Sequence, residues 1–209
     1  MAKKKGPPVR IAVVNDKGGV GKTTICMMIC MYLSVRGKRV LLHDSDVSGS
    51  AVAWSKNATA AGAPLPFDVA DNNTVGIRMQ EAAYDYIVVD TPTDANAKAN
   101  IDSLAAVTDY MVIPLRPGTL ELDRMNVTMA AIRTAPRKET LQIGFVINGN
   151  QRTRVAEGTA AYLAEQNYPV IAKVPHRKDY QERFGEMIPD ALLEPVADIL
   201  KNFGIRVRA

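Results

Sequence analysis

Residues 17–24 read Lys-Gly-Gly-Val-Gly-Lys-Thr-Thr, a combination of residue types that can bind phosphate. Glycines allow backbone N–H groups to converge on phosphate oxygens without side-chain clashes. Lys22 can reach the terminal phosphates, and the hydroxyl of Thr23 can ligate Mg²⁺. An apolar run at residues 9–14 precedes the octet, and a helix-like run at residues 25–35 follows it. This order of strand, loop and helix predicts a phosphate-binding loop in a nucleoside triphosphate site.

Polar residues end three further apolar runs. Residues 86–89 are apolar and lead directly into Asp90, a Walker B pattern whose aspartate holds Mg²⁺ or its water shell. A second run ends in Asp44 and Asp46, and a third ends in Asn148, whose amide could read an adenine edge. Because the carboxyl ends of parallel strands meet at one edge of a sheet, we expect these side chains near the loop.

Short runs of β-branched residues alternate along the chain with longer amphipathic stretches, and these elements must position the polar residues. This alternation predicts an α/β fold with a doubly wound, mostly parallel sheet and helices on both faces. The predicted strands are Arg10–Asn15, Arg39–His43, Tyr86–Asp90, Tyr110–Pro114, Gln142–Asn148 and Val170–Val174. The predicted helices are Lys22–Arg36, Gly49–Ala61, Val75–Tyr84, Ala97–Ala106, Glu121–Thr134, Val155–Asn167 and Asp190–Phe203.

Length and composition favour one cytoplasmic domain. The chain has 209 residues, of which 47% are hydrophobic, enough for one sizeable α/β core. We expect a flexible basic tail over residues 1–8 and a single P-loop ATPase domain over residues 9–209. No apolar run reaches the ~18 residues of a transmembrane helix. Cys26 and Cys30 are expected to be small buried residues, and the net charge of +4 permits a polyanionic partner.

The octet departs from the ordinary Walker A pattern, which has a glycine where this chain has Asp16. Gly18 and Gly19 lie inside the loop instead, after a second lysine, Lys17. With this deviant loop the chain resembles the ParA/MinD family of dimerising ATPases, most closely the small plasmid partition ParA proteins without a helix-turn-helix domain. The resemblance spans essentially the whole chain. Residues 44–48 read Asp-Ser-Asp-Val-Ser where ParA proteins usually read Asp-x-Asp-Pro-Gln, so switch I is altered.

The resemblance implies four catalytic residues. Lys17 would be the signature lysine, which reaches across a dimer interface and acts there much as an arginine finger does. Lys22 would bind phosphates within its own subunit. Asp46 would lie in switch I and orient the attacking water, and Asp90 would begin switch II. The implied activity is hydrolysis of ATP to ADP and phosphate, intrinsically weak and stimulated by a partner.

The resemblance also implies ligand contacts. Thr23 would ligate Mg²⁺, and Asp90 would hold it through water. Thr24 would contact the α-phosphate, and Asn148 and Pro175 would border the adenine. The complete implied nucleotide-binding set is Gly18, Gly19, Val20, Gly21, Lys22, Thr23, Thr24, Asn148 and Pro175.

The implied partners follow the ParA pattern. They are a second copy of the chain in the presence of ATP, non-specific DNA, and a ParB-like or cargo adaptor protein. DNA would be bound through Arg152, Arg154, Arg177 and Lys178. The implied function is a nucleoid-associated, ATP-driven switch for plasmid or chromosome partition or for cargo positioning.

Two other classes compete with this interpretation. A MinD-like regulator at a membrane surface needs a carboxyl-terminal amphipathic helix with basic flanks. Residues 199–208 contain apolar and basic residues, but Gly204 interrupts them, which disfavours a membrane partner. A metal-cluster carrier needs cysteines at the dimer interface, whereas Cys26 and Cys30 are predicted on a core-facing helix.

Overall fold

The structure, a computed structural model, describes residues 6–72, 81–93 and 97–207. These residues form a seven-stranded sheet in the order β3-β2-β4-β1-β5-β6-β7, in which every neighbouring pair is parallel. The predicted doubly wound parallel fold is thus confirmed. The strands are β1 Val9–Val13, β2 Val40–Asp44, β3 Asp68–Asp71, β4 Tyr86–Asp90, β5 Tyr110–Leu115, β6 Gln142–Asn150 and β7 Val170–Pro175.

Helices cover both faces of the sheet. Those of the described residues are α1 Lys22–Ser34, α2 Ser50–Ala60, α3 Ala97–Ala105, α4 Thr119–Thr134, α5 Arg154–Glu165, α6 Asp179–Glu182 and α7 Glu194–Asn202. Helices α1, α2 and α7 share one core cluster with Ile11 and Val13, and α3, α4 and α5 share the other with Ala12 and Val14. Successive residues from Ile11 to Val14 alternate between the two clusters, which explains why strands buried on both sides are continuously apolar.

Four differences separate the observed elements from the predicted ones. Strand β3 was not predicted, because it is short, begins and ends with aspartate, and forms by pairing with β2 at the sheet edge. The four-residue α6 was also not predicted. The predicted helix Asp190–Phe203 is a 3₁₀ turn at Asp190–Leu192 followed by α7. Most of the predicted helix Val75–Tyr84 lies outside the described residues, and Glu81–Ala83 is a 3₁₀ turn.

Strand register gathers polar residues at one edge of the sheet. Asp90 at the end of β4 lies beside Val13 of β1 on one side and Asp44 of β2 on the other. The chain leaves β1 at the same level, so the glycine loop begins next to both acids. This is the carboxyl edge at which open parallel sheets bind ligands.

Candidate nucleotide-binding site

The loop between β1 and α1 depends on glycine for its shape. Gly19 has φ +75° and Gly21 has φ +93°, in the left-handed region that side-chain-bearing residues rarely adopt. Gly21 also lies under Asn148, so a Cβ atom there would fall 2.1 Å from the Nδ2 atom of Asn148. Helix α1 begins directly after Gly21, and its first backbone N–H groups therefore face the loop, where an anion would be stabilised.

Lys22 places a buried cation beneath this loop. The residue is only 6% exposed, and its Nζ atom donates to the backbone carbonyl of Lys17 at 3.2 Å. Burial lowers the pKa of Lys22, while the charges of Asp90 and Asp46 act in the opposite direction. The ammonium is thus bonded to the loop backbone and lies in the field of two carboxylates, which suits the binding of phosphate oxygens.

Asp90 and Thr23 form a second polar pair at the start of α1. The Thr23 hydroxyl donates to Oδ2 of Asp90 at 2.6 Å, and Asp90 is 1% exposed. Burial raises the pKa of Asp90 to about 7. The hydrogen bond from Thr23 lowers this pKa, and the charge of Asp44 raises it by a smaller amount than burial does. The buried Oδ1 atom of Asp90 has no hydrogen-bond partner among the described residues. A hydroxyl beside an unpaired carboxylate oxygen is a donor set that fits Mg²⁺.

The two aspartates after β2 have different environments. Asp44 is buried, and its Oδ2 atom accepts from the backbone N–H groups of Ala51 and Val52 at 2.9 and 3.1 Å. Its Oδ1 atom accepts from the backbone of Asp46 at 3.1 Å. Asp44 thus caps α2, whose N-cap residue Gly49 has no side chain to do so. Asp46 is half-buried, and its Oδ1 atom accepts from the backbone of Ser48 at 2.9 Å.

The second lysine of the loop is paired within the same chain. The backbone N–H of Lys17 donates to Oδ1 of Asn15 at 2.9 Å, and the Lys17 ammonium forms an ion pair with Glu121. Glu121 lies in the first turn of α4, 104 residues further along the chain. No local pattern in the sequence indicates this contact, and sequence reasoning missed Glu121.

A cavity of about 340 Å³ adjoins the loop on the side of β6 and β7. Its lining includes both residues predicted to border adenine, Asn148 and Pro175, together with Gly21 and Thr24 of the loop. The Asn148 Nδ2 atom donates to the backbone carbonyl of Val20 at 2.7 Å, so the amide also braces the loop. The remaining lining residues, most of which sequence reasoning missed, are Arg116, Pro117, Gly149, Gln151, Thr153, Val155, His176, Arg177 and Tyr180.

The four basic residues predicted to bind DNA lie around this end of the molecule. All four are exposed. Arg152 and Arg154 flank Thr153, which caps α5 and lines the cavity. Arg177 itself lines the cavity, and Lys178 follows it directly at the start of α6. The structure therefore brings two sequence-distant basic segments to the rim of one cavity.

The fold and the loop together define the class of protein. The sheet is parallel, and a glycine loop with a buried lysine joins β1 to α1. An aspartate ends the neighbouring strand. These features together define a P-loop nucleotide-binding protein. A family profile described as the CobQ/CobB/MinD/ParA nucleotide binding domain matches residues 11–189. The chain belongs to this family, which confirms the resemblance inferred from the octet.

Two relatives carry the name maintenance of carboxysome distribution protein A. The protein from Gloeobacter kilaueensis is 36% identical over 118 residues, which are 55% of this chain and 52% of that protein. The aligned part thus spans about half the length of that relative. The protein from Halothiobacillus neapolitanus is 27% identical over 173 residues, which are 80% of this chain and 79% of the relative.

A solved structure shares the fold over nearly the whole chain. It is a plasmid partition protein from Borrelia burgdorferi bound to AMPPNP, with a TM-score of 0.72 and 17% sequence identity. The superposition covers 94% of this chain and 98% of the other. At this identity the likeness establishes the fold.

Proposed function

We propose that this chain is a ParA-type ATPase that acts as an ATP-dependent dimeric switch. The observation that carries the proposal is the convergence of Lys22, Thr23, Asp46 and Asp90 beneath a glycine loop that carries a second lysine, Lys17. In this proposal the ATP-bound dimer binds DNA non-specifically and positions a cargo, and a ParB-like or cargo adaptor protein stimulates hydrolysis.

Each residue has a role that its surroundings suit. The loop N–H groups and Lys22 bind the phosphates, and Thr23 and Asp90 hold Mg²⁺, which supplies positive charge beside the phosphates. Asp46, which is itself half-buried, lies on the loop after β2 and orients the attacking water. Lys17 stabilises charge on the nucleotide of a second copy. Phosphoryl transfer depends mainly on positioning and charge stabilisation, so this set requires no covalent nucleophile.

Two lysine variants test the nucleotide part of the proposal. Lys22→Ala should abolish binding of a fluorescent ATP analogue, because it removes the buried cation of the loop. Lys17→Ala should retain binding and lose stimulated hydrolysis, by ~10³-fold or more if the group acts as an arginine finger does. Lys56→Ala, at an exposed lysine of α2, is the matched control and should change neither quantity. Stimulated hydrolysis retained by Lys17→Ala would refute the dimeric mechanism.

DNA binding is supported by the exposed basic residues at the cavity rim. If each subunit contacts three phosphates, a dimer contacts about six, and the logarithm of affinity should fall with a slope of about −5 against the logarithm of salt concentration. Fluorescence anisotropy of a random-sequence duplex with AMPPNP, with ADP and without nucleotide tests this. Binding that is the same in all three states would contradict a nucleotide-controlled switch.

The names of similar proteins support the proposed role in cargo positioning. Two relatives are named for the maintenance of carboxysome distribution, and on that basis we assign this chain to the positioning of a cargo. Co-purification of a tagged chain, with and without an Asp46→Ala substitution that blocks hydrolysis, should recover an adaptor protein more strongly from the blocked form. Equal recovery would count against an ATP-dependent adaptor.

The carboxyl-terminal segment argues against the membrane-surface alternative. In α7 the residues Val196, Ile199 and Leu200 are buried in the core, and Phe203 packs on Tyr110 with ring centroids 4.9 Å apart. This apolar face is therefore already occupied by the protein. No helix in the described part of the chain is both long and apolar enough to cross a bilayer. Nucleotide-dependent pelleting with liposomes that contain anionic lipid would reverse this conclusion.

A further inference from the structure

The Lys17 ammonium, which the proposed function assigns to the nucleotide site of a second copy, is engaged by a carboxylate of its own chain. Its ion-pair partner is Glu121 in the first turn of α4. The Lys17 side chain is 34% exposed and that of Glu121 is 12% exposed. The pair therefore lies at the surface, with the lysine on the solvent side of the carboxylate.

The backbone of Lys17 is held from both sides. Its N–H donates to the side chain of Asn15, and its carbonyl accepts from Nζ of Lys22. Asn15 in turn donates to the carbonyl of Pro114 at 2.7 Å, which fixes the loop to the end of β5. The chain runs from β5 through residues 116–118 into α4, so Glu121 lies on the helix that directly follows this anchor point. The side chain of Lys17 is consequently the part of the pair that can be redirected.

The loop is open on the side from which a second copy would approach. Gly18 and Gly19, which follow Lys17, are both exposed. A Cβ atom built on either of them would meet no atom of the described residues within 4 Å. A second chain can therefore come close to the backbone here, and an extended Lys17 side chain can cross to it.

We propose that Glu121 is a positioning residue that holds Lys17 within its own subunit, and that nucleotide-dependent pairing replaces this carboxylate with the nucleotide phosphates of a second copy. This inference rests on the proposed function, because it requires an ATP-dependent dimer. The Lys17 ammonium cannot keep close contact with Glu121 while extended to a site across the interface. The ion pair must therefore break when the dimer forms, and its free energy opposes dimerisation.

The expected size of the effect follows from the exposure of the pair. Ion pairs in partly exposed positions change an equilibrium constant by about 1.5- to 5-fold. Because a dimer breaks two such pairs, loss of Glu121 should raise the dimer association constant by about 2- to 25-fold. The affinity of the single subunit for nucleotide should stay the same, since Glu121 is not among the described residues that line the cavity and the Lys22 ammonium bonds the carbonyl of Lys17.

Sedimentation equilibrium of the full chain with Mg²⁺ and AMPPNP tests the inference. Glu121→Gln keeps the shape of the side chain and removes its charge, and its dimer association constant should exceed that of the wild type. The matched control is Glu157→Gln, which removes an exposed carboxylate from the first turn of α5. This control should leave the constant unchanged, and thermal melting should show both variants folded.

Lys17→Ala distinguishes a specific contact from general charge. Once Lys17 is absent, Glu121→Gln should produce no further gain, because the pair is already broken. An unchanged or lower constant for Glu121→Gln alone would overturn the inference, and so would a gain that persists in the double variant. A wild-type chain that binds AMPPNP and stays monomeric at all concentrations would overturn the proposed dimeric function itself. A wild-type chain that dimerises with an unresponsive Glu121→Gln would overturn the inference alone.

Discussion

Replacement of Gly21 by alanine should destabilise the loop through two separable effects. Gly21 has φ +93°, and a left-handed alanine costs about 1–2 kcal/mol. The added Cβ atom would also lie 2.1 Å from Nδ2 of Asn148, so the Asn148 side chain must move. That movement breaks its hydrogen bond to Val20, which contributes about 0.5–1.5 kcal/mol. The sum predicts a loss of about 1.5–3.5 kcal/mol in the free energy of unfolding.

Two neighbouring glycines provide matched controls for this prediction. Gly19 has φ +75° and open space around it, so Gly19→Ala should show the backbone cost alone, about 1–2 kcal/mol. Gly18 has neither a left-handed φ nor a close neighbour among the described residues, so Gly18→Ala should be neutral or slightly stabilising. In urea unfolding monitored by circular dichroism, the loss of unfolding free energy should therefore be smallest for Gly18→Ala, larger for Gly19→Ala and largest for Gly21→Ala.

Removal of the clashing side chain isolates the second effect. Asn148→Ala deletes the atom that a Cβ atom on Gly21 would meet, so the double variant should lose less than the sum of the two single changes. Nucleotide affinity should fall in Gly21→Ala, because the loop backbone shifts with Asn148. Two results would refute this account of the loop. One is an equal unfolding free energy for Gly19→Ala and Gly21→Ala. The other is a loss in the double variant that equals the sum of the losses in the two single variants.

Three further predictions concern other parts of the structure. Burial raises the pKa of Asp90 from 3.8 to about 7, so the contribution of Asp90 to the stability of the ligand-free chain should be lost as pH rises from about 4 through 7. In urea unfolding, the stability of Asp90→Asn relative to the wild type should therefore be higher at pH 8 than at pH 4. Asp44→Ala should cost about 2–4 kcal/mol in chemical unfolding, since three backbone N–H groups lose a charged acceptor, whereas Asp46→Ala should cost under about 1 kcal/mol. Gly144→Ala should cost about 1–3 kcal/mol without changing nucleotide affinity, because its Cβ would lie 2.6 Å from Ile171 in the core, and Ile171→Val should relieve part of this loss.

Much of the fold could be predicted from the sequence because the strands of a parallel sheet are locally distinctive. Six of the seven strands of the described sheet were identified from apolar runs. The exception, β3, has four residues with aspartate at both ends, and its extended conformation comes from pairing with β2 rather than from its own side chains. For α1 to α5 the boundaries agreed to within a few residues. The exceptions are the carboxyl-terminal segment, which a 3₁₀ turn interrupts, the end of the predicted helix Val75–Tyr84, where Glu81–Ala83 is a 3₁₀ turn, and α6, which was not predicted.

The site divides in the same way. Lys22, Thr23 and Asp90 could be proposed from local patterns, and the structure places them together at one edge of the sheet. The sequence does not indicate that Arg177 lines the same cavity as Gln151 and Thr153. This arrangement depends on the pairing of β6 with β7, which brings the two segments together.

The sequence by itself determined the phosphate-binding loop, because a few consecutive residues set both the backbone conformation and the chemistry of that loop. It also determined the parallel α/β class, through the alternation of apolar runs and amphipathic stretches. Only the tertiary structure decided which distant groups meet at the loop. Glu121 reaches Lys17 across 104 residues, Asp44 caps α2, and Asn148 rests on Gly21. Such contacts depend on strand order and register, which bring separate segments together and which no short stretch of sequence specifies.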